Sequence, residues 1–169
     1  VHPCLVNKNS YISNINGVLN AIIIEGNPIG KFTIQGEGAG PGPTTSALVS
    51  DICSILRGNI KYPFSIPYKN RKKINSLDIS QEIFSSYIRL DVIDRTGVLS
   101  SITKILSQNK VSVKRLIQNP LNRKKFSSII IISHKTKNIN LVKSINELSK
   151  KKFVINKPKF FRIEDIWIR

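Results

Sequence analysis

The fold of the second half of the chain is decided by one stretch, YIRLDVIDRTGVL, which covers residues 87–99. In its first seven residues apolar and charged side chains alternate, with Ile88, Leu90 and Val92 on one side, which predicts a half-buried strand. After Gly97 the alternation stops, and apolar residues recur at the spacing of a helix. The stretch therefore predicts a strand that leads directly into an amphipathic helix.

The same two periodicities alternate along the rest of the chain. They predict strands at 111–118 and 126–133, a helix at 140–149 and a last strand at 153–161. The run Ile129–Ile132 predicts that the third strand is central and buried. The order βαββαβ is that of a ferredoxin-like unit, an α+β fold with one antiparallel sheet and both helices on one face. Because such a sheet leaves a face or an edge unpaired, we expect a homo-oligomer.

The first third of the chain is organised differently. A strand hairpin is predicted around the turn at 26–28, followed by a glycine-rich segment and a helix at 44–57 that Gly58 ends. This pattern predicts a separate unit over residues 1–62. A polar stretch without sustained periodicity follows, so we expect a linker at 63–84 and a separate domain at 85–169.

Glycines alternate at positions 36, 38, 40 and 42, between a predicted strand and a predicted helix. Glycine lets the backbone approach a ligand closely, and the amides that begin a helix favour an anion. Thr44, Thr45 and Ser46 are candidate caps of that helix. The spacing is neither G-x-G-x-x-G nor a P-loop, however. Taken alone, the segment fits a tight strand-to-helix turn better than a phosphate site, and both remain open.

A second helix entrance follows the strand at 87–93. The amides there can hold a carboxylate, and the carboxylate of Asp94 can accept an ammonium group. This combination suits a free amino acid. The predicted binding residues are Asp94, Thr96, Gly97, Val98 and Leu99.

The chain has a formal net charge of +17, and residues 85–169 carry nineteen basic and five acidic side chains. Clustered Lys and Arg raise the possibility of a nucleic-acid partner. This half is rich in Lys, Asn, Ile and Ser throughout, which accounts for much of the excess without a ligand. RNA-binding sheets of this fold usually present aromatic residues on their central strands, where this chain has Ile and Val. We therefore expect no nucleic-acid partner.

Cys4 and Cys53 lie far apart and form no C-x-x-C pair, which argues against a disulfide framework and a metal site. No apolar run approaches the roughly 20 residues that span a bilayer. We expect a cytoplasmic protein without a membrane partner. The chain opens directly into patterned sequence at Val1, without an initiator Met or signal peptide, so we expect a fragment or a free-standing module.

Five stretches resemble two known families. VHP (1–3), NGVLNAI (16–22), GEGAG (36–40) and PTTSALVSD (43–51) are similar, in order and spacing, to the signature of homoserine dehydrogenases. DRTGVL (94–99) resembles the D-R-P-G-V-L motif of ACT domains, with Thr96 where proline is usual. The resemblance identifies the chain as the C-terminal part of a homoserine dehydrogenase, with the end of its dehydrogenase region followed by an ACT domain.

The resemblance implies that Gly38, Ala39, Gly40 and Thr44 lie at the nicotinamide side of NAD or NADP. It also implies a full-length enzyme that interconverts L-homoserine and L-aspartate 4-semialdehyde, in threonine and methionine biosynthesis. The Rossmann motif and the catalytic Lys of the family would precede Val1, so the chain alone is expected to catalyse nothing. The ACT domain is expected to dimerise or to bind an amino-acid effector, often threonine. The alternative is a free-standing amino-acid-binding ACT module that regulates another protein.

Overall fold

The computed structural model describes residues 1–59, 65–73, 75–120 and 126–164. The chain divides into two compact units. The larger unit contains Val1–Asn7 and Leu77–Arg169, and the smaller contains Lys8–Ser76. The predicted boundary between residues 62 and 63 lies outside the described residues. No helix in the described part of the chain is long and apolar enough to cross a membrane.

The larger unit consists of strands and helices in the order β1, β4, α2, β5, β6, β7, α3, β8. Their bounds are β1 Cys4–Val6, β4 Ile83–Ile93, α2 Val98–Gln108, β5 Val113–Pro120, β6 Phe126–Ser133, β7 Thr136–Lys137, α3 Asn138–Ser149 and β8 Lys159–Glu164. The smaller unit contains β2 Leu19–Gly26, β3 Gly30–Glu37 and α1 Pro41–Leu56. From β4 onward the predicted βαββαβ order is confirmed apart from the two-residue strand β7, which was not predicted. Strand β4 begins two residues before the predicted domain boundary.

The strands of the larger unit form one sheet in the order β1-β8-β4-β6-β5, and β7 pairs with the start of β4. All neighbours are antiparallel except β1, which runs parallel to β8 with Leu5 opposite Ile163. The predicted sheet had four strands. Strand β1 was not predicted because three residues are too few to show an alternation.

The hydrophobic core of this unit lies between the sheet and its two helices. Ile88, Leu90 and Val92 of β4 point into it, as the alternation predicted. The buried helix residues also match the predicted faces; they are Val98, Ile102, Ile105 and Leu106 in α2, and Leu141, Ile145 and Leu148 in α3. Burial of each such side chain stabilises the fold by roughly 1.5–3 kcal/mol. The helices are therefore held against the sheet by their apolar faces.

Strand β6 lies between β4 and β5, as predicted for the isoleucine run. Ile129 and Ile131 are buried against the helices, whereas Ile130 and Ile132 are half-buried on the other face. The two pairs differ because successive side chains of a strand point to opposite faces.

The last strand begins at Lys159, whereas the apolar pattern predicted a start at Phe153. Phe153 is instead a core residue, 8% exposed, and Val154 forms an isolated bridge with Val92. Pro158 precedes the strand, where its missing N–H removes no ladder hydrogen bond.

In the smaller unit β2 and β3 form the predicted hairpin, with Ile22 opposite Ile34 and Ile24 opposite Phe32. Helix α1 begins at Pro41, three residues before the predicted start at Thr44. Proline is well tolerated there because the first amides of a helix have no intrahelical acceptor. Both elements leave most of their large apolar side chains exposed, among them Ile22, Phe32 and Ile52.

Candidate functional site

Strand β4 passes into helix α2 through a type II turn formed by Arg95, Thr96, Gly97 and Val98. The amide of Val98 donates to the carbonyl of Arg95 at 3.3 Å. Gly97 has φ 87° and ψ −13°, a left-handed conformation that the third position of this turn requires and that disfavours residues with a Cβ. The predicted turn glycine is thus needed for its backbone conformation.

The first backbone amides of α2 lie where this turn ends, since the helix begins at Val98. Ser101 donates its amide to the carbonyl of Gly97 at 3.0 Å. In the part of the chain that the structure describes, the amides of Leu99 and Ser100 have no backbone acceptor. Such amides carry the partial positive charge of a helix N-terminus and suit a carboxylate.

Three side chains from three elements meet beside this turn. Ser127 of β6 donates its hydroxyl to Oδ2 of Asp94 at 2.6 Å. Gln118 of β5 donates from Nε2 to Oδ1 of Asp94 and to Oγ of Ser127, each at 3.3 Å. Ser127 is only 1% exposed, whereas Asp94 is exposed. The carboxylate is therefore oriented from the sheet side, with its outer side open to solvent.

Sequence reasoning did not include Ser127 and Gln118 in the site. They lie on strands that follow Asp94 by many residues, and only the folded sheet brings them together. One signal was present: Ser127 occupies the inward register of a strand whose other inward residues are Ile129 and Ile131.

The turn, the helix start and the polar cluster enclose a cavity of about 230 Å³. All five predicted binding residues line it, and Gln118 and Ile129 form the opposite wall. Its volume is below the roughly 300–1,000 Å³ of sites for drug-sized ligands, so it suits a small molecule. Acceptor groups at Asp94 and donor amides at the start of α2 are the two features that a zwitterion needs.

The glycine-rich segment has a tight part and an open part. Gly38 donates its amide to the carbonyl of Val18 at 3.1 Å, and a Cβ at Gly38 would overlap the side-chain amide of Asn20. Gly40 has φ 123°, another conformation that favours glycine. A Cβ at Gly36 or Gly42 would meet nothing within 4 Å. Two of the four glycines are therefore required by the turn itself.

The start of α1 offers fewer donors than the sequence analysis predicted. Pro41 and Pro43 have no amide hydrogen, and Thr44 donates its amide to the carbonyl of Gly40 at 3.2 Å. The residue at the N-cap is Gly40, without a side-chain hydrogen bond, so the predicted capping by Thr44, Thr45 or Ser46 was wrong. The hydroxyls miss the cap because the helix begins earlier than expected. Gly38, Ala39, Gly40 and Thr44 are all exposed.

The described residues contain no group of three or more His, Cys, Asp or Glu side chains that would hold a metal ion. The candidate sites that the sequence predicted are the cavity at α2 and the glycine turn at α1. Together they define a class of protein: a glycine-turn segment of a larger domain, joined to a ferredoxin-like domain with a small-ligand cavity.

Comparison with known proteins identifies both parts. Residues 1–53 match the homoserine dehydrogenase family model, and residues 86–152 match that of the ACT domain. The homoserine dehydrogenase of Helicobacter pylori is 31% identical over 171 residues, which cover 98% of this chain and 39% of that protein. That of Neisseria gonorrhoeae is 32% identical, over 80% of this chain and 33% of its own length.

A solved homoserine dehydrogenase structure from Thiobacillus denitrificans superposes with a TM-score of 0.84 at 28% identity. The match covers 98% of this chain and 38% of that one. Over nearly its whole length the chain is thus similar to homoserine dehydrogenases, of whose own length it spans between one third and two fifths, and residues 86–152 match the ACT domain.

Proposed function

We propose that the chain is the part of a homoserine dehydrogenase that completes the nicotinamide side of its active site and carries its regulatory domain. In this proposal the full-length enzyme interconverts L-homoserine and L-aspartate 4-semialdehyde with NAD or NADP, in threonine and methionine biosynthesis. One observation carries it: nearly the whole chain, both units included, matches homoserine dehydrogenases in sequence and in structure. A free-standing ACT module would have no need of the matched residues 1–53.

The glycine turn is proposed to lie against the cofactor, which supplies the hydride when it is bound. Four residues of this segment are exposed: Gly38, Ala39, Gly40 and Thr44. Because Gly38 and Gly40 have no side chain of their own, their backbone is not covered by one. This is compatible with close approach of a flat ring. Among the described residues the amide of Gly42 has no backbone acceptor, so it is the donor that remains between the two prolines.

The exposed apolar faces of the smaller unit support an enzyme larger than this chain. Ile22 and Ile34 of the hairpin and Ile52 of α1 are each about half exposed or more. Soluble proteins seldom leave contiguous apolar faces uncovered, so we propose that other parts of the enzyme pack there. The chain contains no G-x-G-x-x-G motif, and we propose that it is inactive alone.

The ACT domain is proposed to bind an amino-acid effector, threonine being the first candidate. The ammonium group would lie on Asp94, which Ser127 and Gln118 orient, and the carboxylate on the amides of Leu99 and Ser100. If the effector binds one arrangement of the paired domains more tightly, it shifts the enzyme towards that state. A domain that only dimerises is the alternative, with the partner reached through the free edge of β5 or the open sheet face.

The test uses the full-length enzyme, assayed for NAD- and NADP-dependent oxidation of homoserine, with threonine binding measured by calorimetry. We expect turnover with homoserine and loss of threonine binding in Asp94→Asn, because a neutral amide cannot balance the ammonium charge. Asp91→Asn is the matched control, since Asp91 lies on β4 three residues before Asp94 but outside the cavity lining. Absence of turnover refutes the enzyme proposal; equal threonine affinity in Asp94→Asn and wild type refutes the effector site.

A further inference from the structure

The chain crosses between its two units at one end of the ACT sheet. It leaves the larger unit after Asn7 and returns before Leu77. Val6, the last residue of β1, pairs with Glu164, and Ser85 near the start of β4 pairs with Ile163. Both crossings therefore enter the sheet at the same level, at the end opposite to Asp94 and the cavity.

The capping segment, residues 78–82, precedes β4 and caps helix α3. The carbonyls of Glu82 and Ser80 accept the amides of Asn138 and Ile139, at 2.8 and 2.9 Å. These are the first amides of α3, whose N-cap residue, Lys137, does not cap them with its side chain and instead donates from Nζ to Oε1 of Gln81 at 3.1 Å. The chain that arrives from the smaller unit thus supplies the acceptors that this helix start needs.

Asp78 holds the capping segment in shape. Its Oδ1 accepts the amide of Ser80 at 2.9 Å and its Oδ2 accepts the hydroxyl of Ser80 at 2.6 Å. Its carbonyl accepts the amide of Gln81 at 3.0 Å. The carbonyl of Ser80 is thereby fixed towards α3.

Arg162 of β8 joins the elements that meet at this end. It donates from Nη2 and Nε to Oδ1 of Asn138, at 3.0 and 3.3 Å, and its guanidinium carbon lies 5.3 Å from the centroid of the Phe84 ring. Arg162 is also paired with Cys4 of β1. Asn138 is 7% exposed, so without Arg162 its side-chain oxygen would lose its donor inside the protein.

We propose that β1, the capping segment, Asn138 and Arg162 form a junction through which the ACT domain transmits ligand binding to the dehydrogenase region, with Arg162 as its positioning residue. Strand β4 runs for eleven residues from the junction to the cavity, about 33 Å, and is packed along its length. Both covalent connections between the two units are anchored here. These hydrogen bonds therefore lie at the start of both covalent routes from the ACT domain to the smaller unit.

The inference rests on the proposed effector binding, and its test separates the two. In the full-length enzyme, Arg162→Gln is compared with Lys159→Gln, a control on the same strand; Lys159 makes no side-chain hydrogen bond or ion pair that the described residues show. Threonine affinity is measured by calorimetry and inhibition by steady-state kinetics. Effectors typically change affinities about 5- to 150-fold through such coupling. We expect Arg162→Gln to bind threonine within about twofold of wild type while its inhibition falls below about twofold.

Asp78→Asn is the second variant, because it loosens the capping segment without changing the sheet and guards against misfolding of Arg162→Gln. Hydrogen exchange of β4 and β6 reports folding in each case. Inhibition that survives in both variants, or affinity lost together with inhibition, overturns the junction while leaving the effector site standing. A wild-type enzyme that neither binds threonine nor responds to it overturns the effector proposal and the junction together.

Discussion

The two units of the chain use similar apolar side chains in opposite ways. In the larger unit Leu90 of β4 is fully buried beneath two helices, whereas in the smaller unit Ile52 of α1 is 55% exposed and Leu56 80%. A lone two-stranded hairpin such as β2–β3 is marginal in water. The larger unit therefore carries its own core, whereas the smaller unit has apolar faces that its described residues leave exposed.

The largest expected effect measures this contrast directly. Leu90→Ala should lower the free energy of unfolding of the ACT region by about 2–5 kcal/mol, because it leaves a cavity in a closed core. In this chain Ile52→Ala should change the free energy of unfolding of the smaller unit by no more than about 0.5 kcal/mol, as at other exposed positions. Denaturant titration followed by hydrogen exchange at β4 and α1 amides separates the two responses.

The substitution Ile52→Ala is expected to have a different effect in the full-length enzyme. There Ile52→Ala should become costly, approaching the roughly 2–5 kcal/mol of a buried isoleucine, if the remaining enzyme covers α1. A small effect in both forms would contradict the proposal that α1 packs against other parts of the enzyme.

The next effect concerns a tightly packed point of the smaller unit, beside Gly38. Gly38→Ala should destabilise the hairpin and its turn by about 1–3 kcal/mol, because the new Cβ would overlap Asn20 and force a shift. Gly36→Ala is the matched control, since a Cβ there meets open space. Amide exchange of β2 and β3 in each variant gives the measurement. Equal exchange in both would show that the turn is as loose as the rest of the unit.

The fold of the ACT region was predictable because its elements are long and strongly periodic. Ile88, Leu90 and Val92 alternate over a whole strand, and the apolar faces of α2 and α3 recur over three turns. The parallel pairing of β1 with β8 was beyond such reasoning, since Cys4–Val6 has no pattern and its partner lies at the other end of the chain. The early start of α1 was missed because Pro41 and Pro43 look like helix breakers, although they are tolerated in a first turn.

The candidate site was predictable where it is local in sequence. Asp94, Thr96 and Gly97 follow one another along the chain, and the structure places them around one cavity. Ser127 and Gln118 entered only through sheet register, which periodicity does not specify between distant strands.

A smaller effect is expected at the turn before α2, where a substitution should increase the stability of the ACT region. Thr96 is the second residue of the type II turn, a position where proline is favoured, and the described residues show no backbone acceptor for its amide. Thr96→Pro should therefore stabilise the ACT region by about 0.4–1 kcal/mol, by restricting the unfolded chain. Thermal unfolding at several denaturant concentrations measures this shift. Destabilisation would mean that the turn, or the amide of Thr96, has a role that proline cannot fill.

The smallest expected effect lies where the two units connect. The pKa of Asp78 lies below its ordinary value of 3.8, mainly because its carboxylate accepts a hydrogen bond from the hydroxyl of Ser80 and, to a smaller extent, one from the amide of Ser80. A carboxyl whose pKa is lowered by folding contributes stability above its unfolded pKa, and loses it as pH falls through the lower folded value. The capping segment should therefore keep its shape at neutral pH and loosen only in acid below the ordinary range of aspartate. In an NMR titration the amide of Ser80 should follow this ionisation, and Asp78→Asn should remove the transition. A titration midpoint of Asp78 at or above pH 3.8 would contradict the prediction, because it would mean that this carboxylate does not hold the capping segment.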